Sequence, residues 1–153
     1  MRREITALTA QKRNKDRVNV YLDGRFAFGL AAIEAVQLRV GQKLTSDEIV
    51  ELQLKDEVER SYERALNFLS YRPRSEEEVR RNLRKKDVDE QVIEVVMGRL
   101  TRAGLVDDRE FARYWVDNRA RFNPRGLRGL RYELRRKGVS YDVIDEALSC
   151  FDA

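Results

Sequence analysis

Glu78-Val79-Arg80-Arg81-Asn82-Leu83-Arg84-Lys85-Lys86-Asp87-Val88 and Gly129-Leu130-Arg131-Tyr132-Glu133-Leu134-Arg135-Arg136-Lys137-Gly138-Val139 are the two stretches that decide the fold. Shifted by 51 positions, Val79 falls on Leu130, Leu83 on Leu134, Lys86 on Lys137 and Val88 on Val139, and the register continues through Val92 on Val143 and Ile93 on Ile144. Recurrence at a fixed period of about fifty residues is the signature of a tandem repeat whose units bury their apolar faces against one another. The spacing of Val79 and Leu83, and of Val92, Ile93, Val96 and Leu100, is that of helical stripes.

Working outward, the segment before each pair is helical too. Val58, Tyr62, Ala65 and Leu69 are spaced 4, 3 and 4, and Ala65 and Leu69 recur as Ala112 and Val116 at a shift of 47. Helix starts are marked by an oxygen-bearing side chain with Glu three residues on, at Thr45/Glu48, Asp56/Glu59, Ser75/Glu78 and Asp107/Glu110. Pro73 stops the first helix of the repeat, and Ala103-Gly104 supplies a glycine C-terminus to the third.

Upstream, the period changes to two. Residues 5–11 form a short strand with Ile5, Ala7 and Thr9 on one side, Val18, Val20 and Leu22 share a face of a second, and Asp23-Gly24 is a tight-hairpin dipeptide leading into a third over residues 25–30. A short helix over residues 31–38 is expected to cover this three-stranded meander. The fold class is therefore mainly α: an extended array of tandem three-helix repeats, residues 56–106 and 107–153, behind a small antiparallel β-meander with a short helix, residues 1–55.

Composition narrows the chemistry. The 153 residues carry 31 Lys plus Arg against 27 Asp plus Glu, a net charge of +4, with no His and one Cys, Cys150. No internal disulfide can form, and the His-dependent triads and zinc sites lose a member, so no catalytic residue, cofactor or metal is expected. No apolar run reaches the ~18 residues of a membrane span, and residues 1–4 lead into no signal-peptide core, so a cytoplasmic, monomeric protein without a membrane partner is the expectation. Gly24 and Gly29 have phosphate-loop spacing, but Leu30 and Ala31 stand where Lys and Ser or Thr are needed; they read as hairpin glycines. Asp107-Asp108 and Glu76 to Glu78 read as helix-start charges, and Phe111, Trp115 and Phe122 as core.

The charge is uneven. Between residues 119 and 137, eight bases (Arg119, Arg121, Arg125, Arg128, Arg131, Arg135, Arg136 and Lys137) face one acid, Glu133. Leu127, Leu130 and Leu134 form an apolar stripe there, and Arg128, Arg131 and Arg135 lie about 100° round the helix, where a row of guanidinium groups can meet phosphates or carboxylates. These eight are the candidate partner- and DNA-binding residues. Arg72, Arg74, Arg80 and Arg84 are secondary, because Arg80 and Arg84 hold the equivalent positions beside Glu76 to Glu78.

Three segments, taken in order, resemble the RecX family of bacterial recombinase regulators: Ala65-Leu66-x-x-Leu69-x-x-Arg72-Pro73-Arg74-Ser75-x-x-Glu78-Val79, Gly104-Leu105-Val106-Asp107-Asp108-Arg109-Glu110-Phe111-Ala112, and Glu133-Leu134-Arg135-Arg136-Lys137-Gly138-Val139. Asp23-Gly24-Arg25-Phe26-Ala27 is similar to the strand-rich extension of some members. The resemblance implies a non-enzymatic protein of DNA repair and the SOS response that binds RecA and its filaments on single-stranded DNA and reduces strand exchange and ATP turnover. Direct contact with single-stranded DNA would be weak and without sequence preference. It also implies a third repeat, which this sequence lacks, and a glycine where Asp87 stands. A stand-alone helical nucleic-acid-binding regulator and a protein-only scaffold are the rival readings from the residues alone.

Overall fold

The computed structural model describes residues 1–122 and 126–151, with side chains described except at residues 120–122, 150 and 151. The chain divides into two compact units, Met1–Arg60 and Ser61–Ala153.

The first unit is a four-stranded antiparallel sheet. Strands β1 (Arg2–Ala10), β2 (Arg17–Leu22), β3 (Arg25–Ala31) and β4 (Lys43–Thr45) lie in the order β3-β2-β1-β4, with the short helix α1 (Ala32–Ala35) between the last two in sequence. Asp23 and Gly24 turn the β2–β3 hairpin with φ of 51° and 82°, as the dipeptide requires. The meander therefore has one strand more than its sequence predicts. β4 is three residues long and pairs with Arg2, Arg3 and Glu4 at the far end of β1, a contact with no local signature.

A register shift between Ile5 and Ala7 also breaks the expected alternation in β1. One extra residue reverses every side chain beyond it, so Ile5 and Leu8, rather than Ile5, Ala7 and Thr9, face the core with Val20, Leu22, Phe28, Leu30 and Leu44.

Thr45 and Glu48 make the predicted reciprocal cap at the start of helix α2 (Ser46–Tyr71), through Thr45 N–H to Glu48 Oε1 at 2.9 Å and Glu48 N–H to Thr45 Oγ1 at 3.1 Å. No helix starts at Asp56. α2 runs through it without interruption, and the Asp56 carboxylate instead accepts both arms of Arg17 from β2, at 3.0 and 2.8 Å, and pairs with Arg60 at 3.2 Å. A buried carboxylate, 4% exposed, needs such partners far more than a solvated cap does.

The second unit holds the repeats. Helices α3 (Glu76–Lys85), α4 (Glu90–Arg102), α5 (Asp108–Phe122), α6 (Leu127–Arg136) and α7 (Tyr141–Phe151) follow the end of α2. The bounds of α3 and α6 coincide at the 51-residue shift, and α7 starts where that shift carries the start of α4. Ser75 caps α3 with the predicted box, completed by Glu78. Asp107 caps α5 by accepting the Arg109 N–H at 2.9 Å.

The two cores are built from equivalent positions. Ala65, Val79, Leu83, Val92, Ile93, Val96 and Met97 are buried in the first repeat, and Ala112, Leu130, Leu134, Ile144, Ala147 and Leu148 in the second, with Val143 partly buried.

α3 and α6 also end alike. Val88 and Val139 N–H groups reach back to the Leu83 and Leu134 carbonyls, and Asp87 and Gly138 N–H groups to those of Arg84 and Arg135. This Schellman closure needs a left-handed residue, Asp87 at φ 59° and Gly138 at φ 83°. A left-handed conformation is strained for Asp and free for Gly. Asp87→Gly should therefore raise stability by about 0.5 kcal/mol, read as a higher denaturant midpoint at unchanged slope.

Candidate functional site

The outer faces of α3 and α6 carry equivalent positions at the 51-residue shift. Arg80 pairs with Glu94 and, one repeat on, Arg131 pairs with Asp145 in the same place, so one member of the Arg stripe is matched by an acid in both repeats. The other positions differ. Arg84 pairs with Glu90 at 2.8 Å and with Glu77 at 3.4 Å. Its equivalent Arg135 lies over the Tyr141 ring at 4.2 Å and donates to the Val139 carbonyl at 2.8 Å. Arg128 occupies the position of Glu77, is exposed, and has no ion-pair partner among the described residues. The face of α6 thus keeps positive charge at Arg128 and Arg135 that the face of α3 neutralises. Leu127, 37% exposed, is not part of the buried stripe, which is Leu130 and Leu134.

Others among the predicted cations lie elsewhere and have a different job. The C-terminus of α6 is docked on the start of α3: Ser75 Oγ donates to the Lys137 carbonyl at 2.6 Å and Arg81 Nη1 to the Arg136 carbonyl at 2.9 Å. Favourable partners for the negative end of a helix are donors and cations, and both bonds supply them. Lys137 Nζ reaches Glu78 at 3.2 Å, and Arg72 grips the same carboxylate with two bonds, at 3.2 and 2.6 Å. Trp115 stands beside this joint, its indole N–H donating to Glu133 at 2.9 Å, with Arg72, Arg119 and Lys137 at 5.7, 4.9 and 4.5 Å from its ring. Arg119 also pairs with Glu133 at 3.3 Å. Arg74 packs 3.8 Å over Phe68 and donates to that residue's carbonyl; burial pulls its guanidinium below the ordinary value.

Of the remaining predicted residues, Arg136 is exposed over Tyr132, at 5.8 Å, while the Arg121 side chain and all of Arg125 lie outside the described residues, as do the Phe122 and Cys150 side chains. Sequence reasoning passed over Arg81 and Tyr132, equivalent positions in the two repeats. In the sequence Arg81 reads only as an i,i+4 partner of Glu77, which is the pair it makes at 3.4 Å.

Burial raises the Glu78 carboxyl, but hydrogen bonds from Arg72, the Ser75 N–H and Lys137 outweigh it and hold the group below the usual carboxylate range. Its stabilising contribution is present above the unfolded value of about 4.3 and is lost as pH falls through the lower folded value. Asp108 has the opposite sign. Burial, against a hydrogen bond from the Glu76 N–H and reinforced by Asp107, Glu77 and Glu78, raises its carboxyl, so its contribution is present at low pH and lost as pH rises through the raised value. Glu78→Gln should flatten the acid limb of unfolding below about pH 4, while Asp108→Asn should not. Circular dichroism against pH reads both.

Two repeats of three helices behind a four-stranded sheet define a helical-repeat protein. Residues 3–45 match the family described as regulatory protein RecX N-terminal domain, residues 62–100 the RecX first three-helix domain, and residues 107–148 the RecX second three-helix domain. The chain is 42% identical over 149 residues to the regulatory protein RecX of Bacillus subtilis (strain 168), covering 96% of this chain and 56% of that protein, and 31% identical to that of Listeria monocytogenes over 95% and 55%. It therefore spans little more than half the length of these relatives. A crystal structure of regulatory protein RecX superposes with a TM-score of 0.76 at 32% identity, over 97% of this chain and 74% of that one, and RecX from Lactobacillus salivarius with 0.61 at 28%, over 63% of each. The chain belongs to the RecX family. No helix among the described residues is long and apolar enough to cross a membrane.

Proposed function

We propose that this chain is a non-enzymatic regulator that binds RecA and RecA filaments on single-stranded DNA and lowers ATP turnover and strand exchange. Resemblance to the RecX regulators supports RecA as the partner, and the uncompensated charge at Arg128 and Arg135 supports the outer face of α6 as the surface that would meet it. In this reading the N-terminal module, residues 1–55, precedes two binding repeats, residues 56–106 and 107–153. A monomer lodges across neighbouring RecA protomers, so that ATP turnover or duplex entry is hindered sterically. The eight cations of residues 119–137 divide the work. Arg128, Arg131 and Arg135 meet the filament, Arg119 braces Glu133 and Trp115 within the second repeat, and Lys137, with Arg72 of the first repeat, holds the two repeats together.

Co-sedimentation with RecA filaments tests the binding. The chain should pellet with the filament at about one copy per few protomers and be released by salt, since exposed ion pairs are screened. Binding of single-stranded DNA by the isolated chain should be weak and indifferent to sequence. Tight binding to one duplex sequence, with none to RecA filaments, would refute the reading.

A further inference from the structure

The proposed function leaves open where single-stranded DNA would touch the chain, and the second unit contains a cleft with the chemistry to do it. An open hollow of about 460 Å³ lies where α3, α5 and α6 meet, within the ~300–1,000 Å³ usual for ligand sites. Trp115 stands at its wall, Arg81 and Arg136 line it with Lys137 and Arg119, and Tyr132 is 63% exposed there.

The two carboxylates of the cleft are already engaged. Glu78 holds Arg72, Lys137 and the Ser75 N–H, and Glu133 holds the Trp115 indole and Arg119. Four cations against those two acids leave an excess of positive charge. Arg136 has no acid partner among the described residues, and Arg81, whose Nη1 donates to the Arg136 carbonyl at 2.9 Å, has a long acid contact of 3.4 Å to Glu77 and a side chain 55% exposed. An exposed aromatic ring beside unneutralised guanidinium groups matches what unpaired nucleic acid presents, a flat base next to a phosphodiester. An acidic peptide would satisfy the charges but make no use of the ring.

We infer that this cleft binds single-stranded nucleic acid, with a phosphate between Arg81 and Arg136 and a base on Tyr132. The inference deepens the proposed function and rests on it for the choice of nucleic acid. It assigns DNA contact to the row of α6 next to the stripe of Arg128, Arg131 and Arg135, because Tyr132 and Arg136 are one turn apart and each follows a stripe residue by one position.

Trp115 is the single tryptophan of the chain, so its emission reports on the cleft. Titration with a twenty-nucleotide oligo(dT) should change that emission saturably, with affinity falling as salt rises. The double variant Arg81→Ala/Arg136→Ala should bind at least tenfold more weakly. Tyr132→Ala should lose several-fold for oligo(dT) and nothing for inorganic polyphosphate. Arg113→Ala, exposed on α5 outside the cleft, should change binding less than twofold. Arg136→Ala alone, which removes no hydrogen bond or ion pair among the described residues, keeps the test decisive if the double variant unfolds.

Unchanged binding in these variants would overturn the site. So would polyphosphate or a poly-glutamate peptide binding as tightly as oligo(dT), because the cleft would then be a general anion surface. Suppression of RecA ATPase by a chain that binds no oligo(dT) would sink the cleft and leave the proposed function standing; oligo(dT) binding without suppression would do the reverse.

Discussion

Changing Arg128, Arg131 and Arg135 together to alanine is expected to weaken binding to RecA filaments by more than tenfold while leaving the helical content intact. All three side chains are exposed. The fold loses the Arg131 pair with Asp145, both about half exposed and worth at most about 1 kcal/mol, and the contacts of Arg135 with the Tyr141 ring and the Val139 carbonyl. Leu130 and Leu134 remain to pack, and alanine is the best helix former. An interface loses more. Hydrogen bonds to charged groups contribute roughly 1.5–3 kcal/mol each, so partial engagement of three exceeds the 1.4 kcal/mol that a factor of ten requires. The matched control is Arg80→Ala/Arg84→Ala, whose guanidinium groups are held by Glu94, Glu90 and Glu77. It should cost less binding than the triple variant. Titration onto filaments at fixed salt decides the matter; equal losses in the two variants, or none in the triple, would make the stripe an ordinary solvated face.

Gly138→Ala should destabilise the second unit by about 3 kcal/mol. A Cβ at this position would come within 2.3 Å of Glu77 Cβ and 2.7 Å of its Cγ, close to the backbone of α3, where no side-chain rotation relieves the clash. The backbone at φ 83° adds the cost of a left-handed residue, roughly 1–2 kcal/mol. Relief would have to come from separating α6 from α3, which stretches the bonds to the Lys137 and Arg136 carbonyls. The measurement is a denaturant melt followed by Trp115 emission. A loss below 1 kcal/mol would show that the two repeats are not in the close contact described.

Much of this architecture is local and could be read from sequence. The Val79/Leu83 pair and its copy Leu130/Leu134, the Asp23-Gly24 turn and the caps at Thr45 and Ser75 each depend on residues within a turn or two of one another. What escaped depends on pairings at long range. β4 exists because Arg2, Arg3 and Glu4 pair with it. Asp56 has the local pattern of a cap, but Arg17, 39 residues away, claims its carboxylate inside a helix.

The site shows the same division. The excess of arginine between residues 119 and 137 is a property of composition. That Lys137 belongs to Glu78, 59 residues back, and Arg131 to Asp145 is a property of packing, and it separates the cations that hold the repeats together from those that remain exposed.

The central claim, regulation of RecA, is tested most directly by the ATPase activity of RecA on single-stranded DNA with and without this chain at substoichiometric to equimolar ratios. The predicted result is a dose-dependent fall in turnover, reduced in the Arg128→Ala/Arg131→Ala/Arg135→Ala variant. Turnover unchanged at equimolar chain, under conditions where the RecA filament is otherwise active, would contradict it.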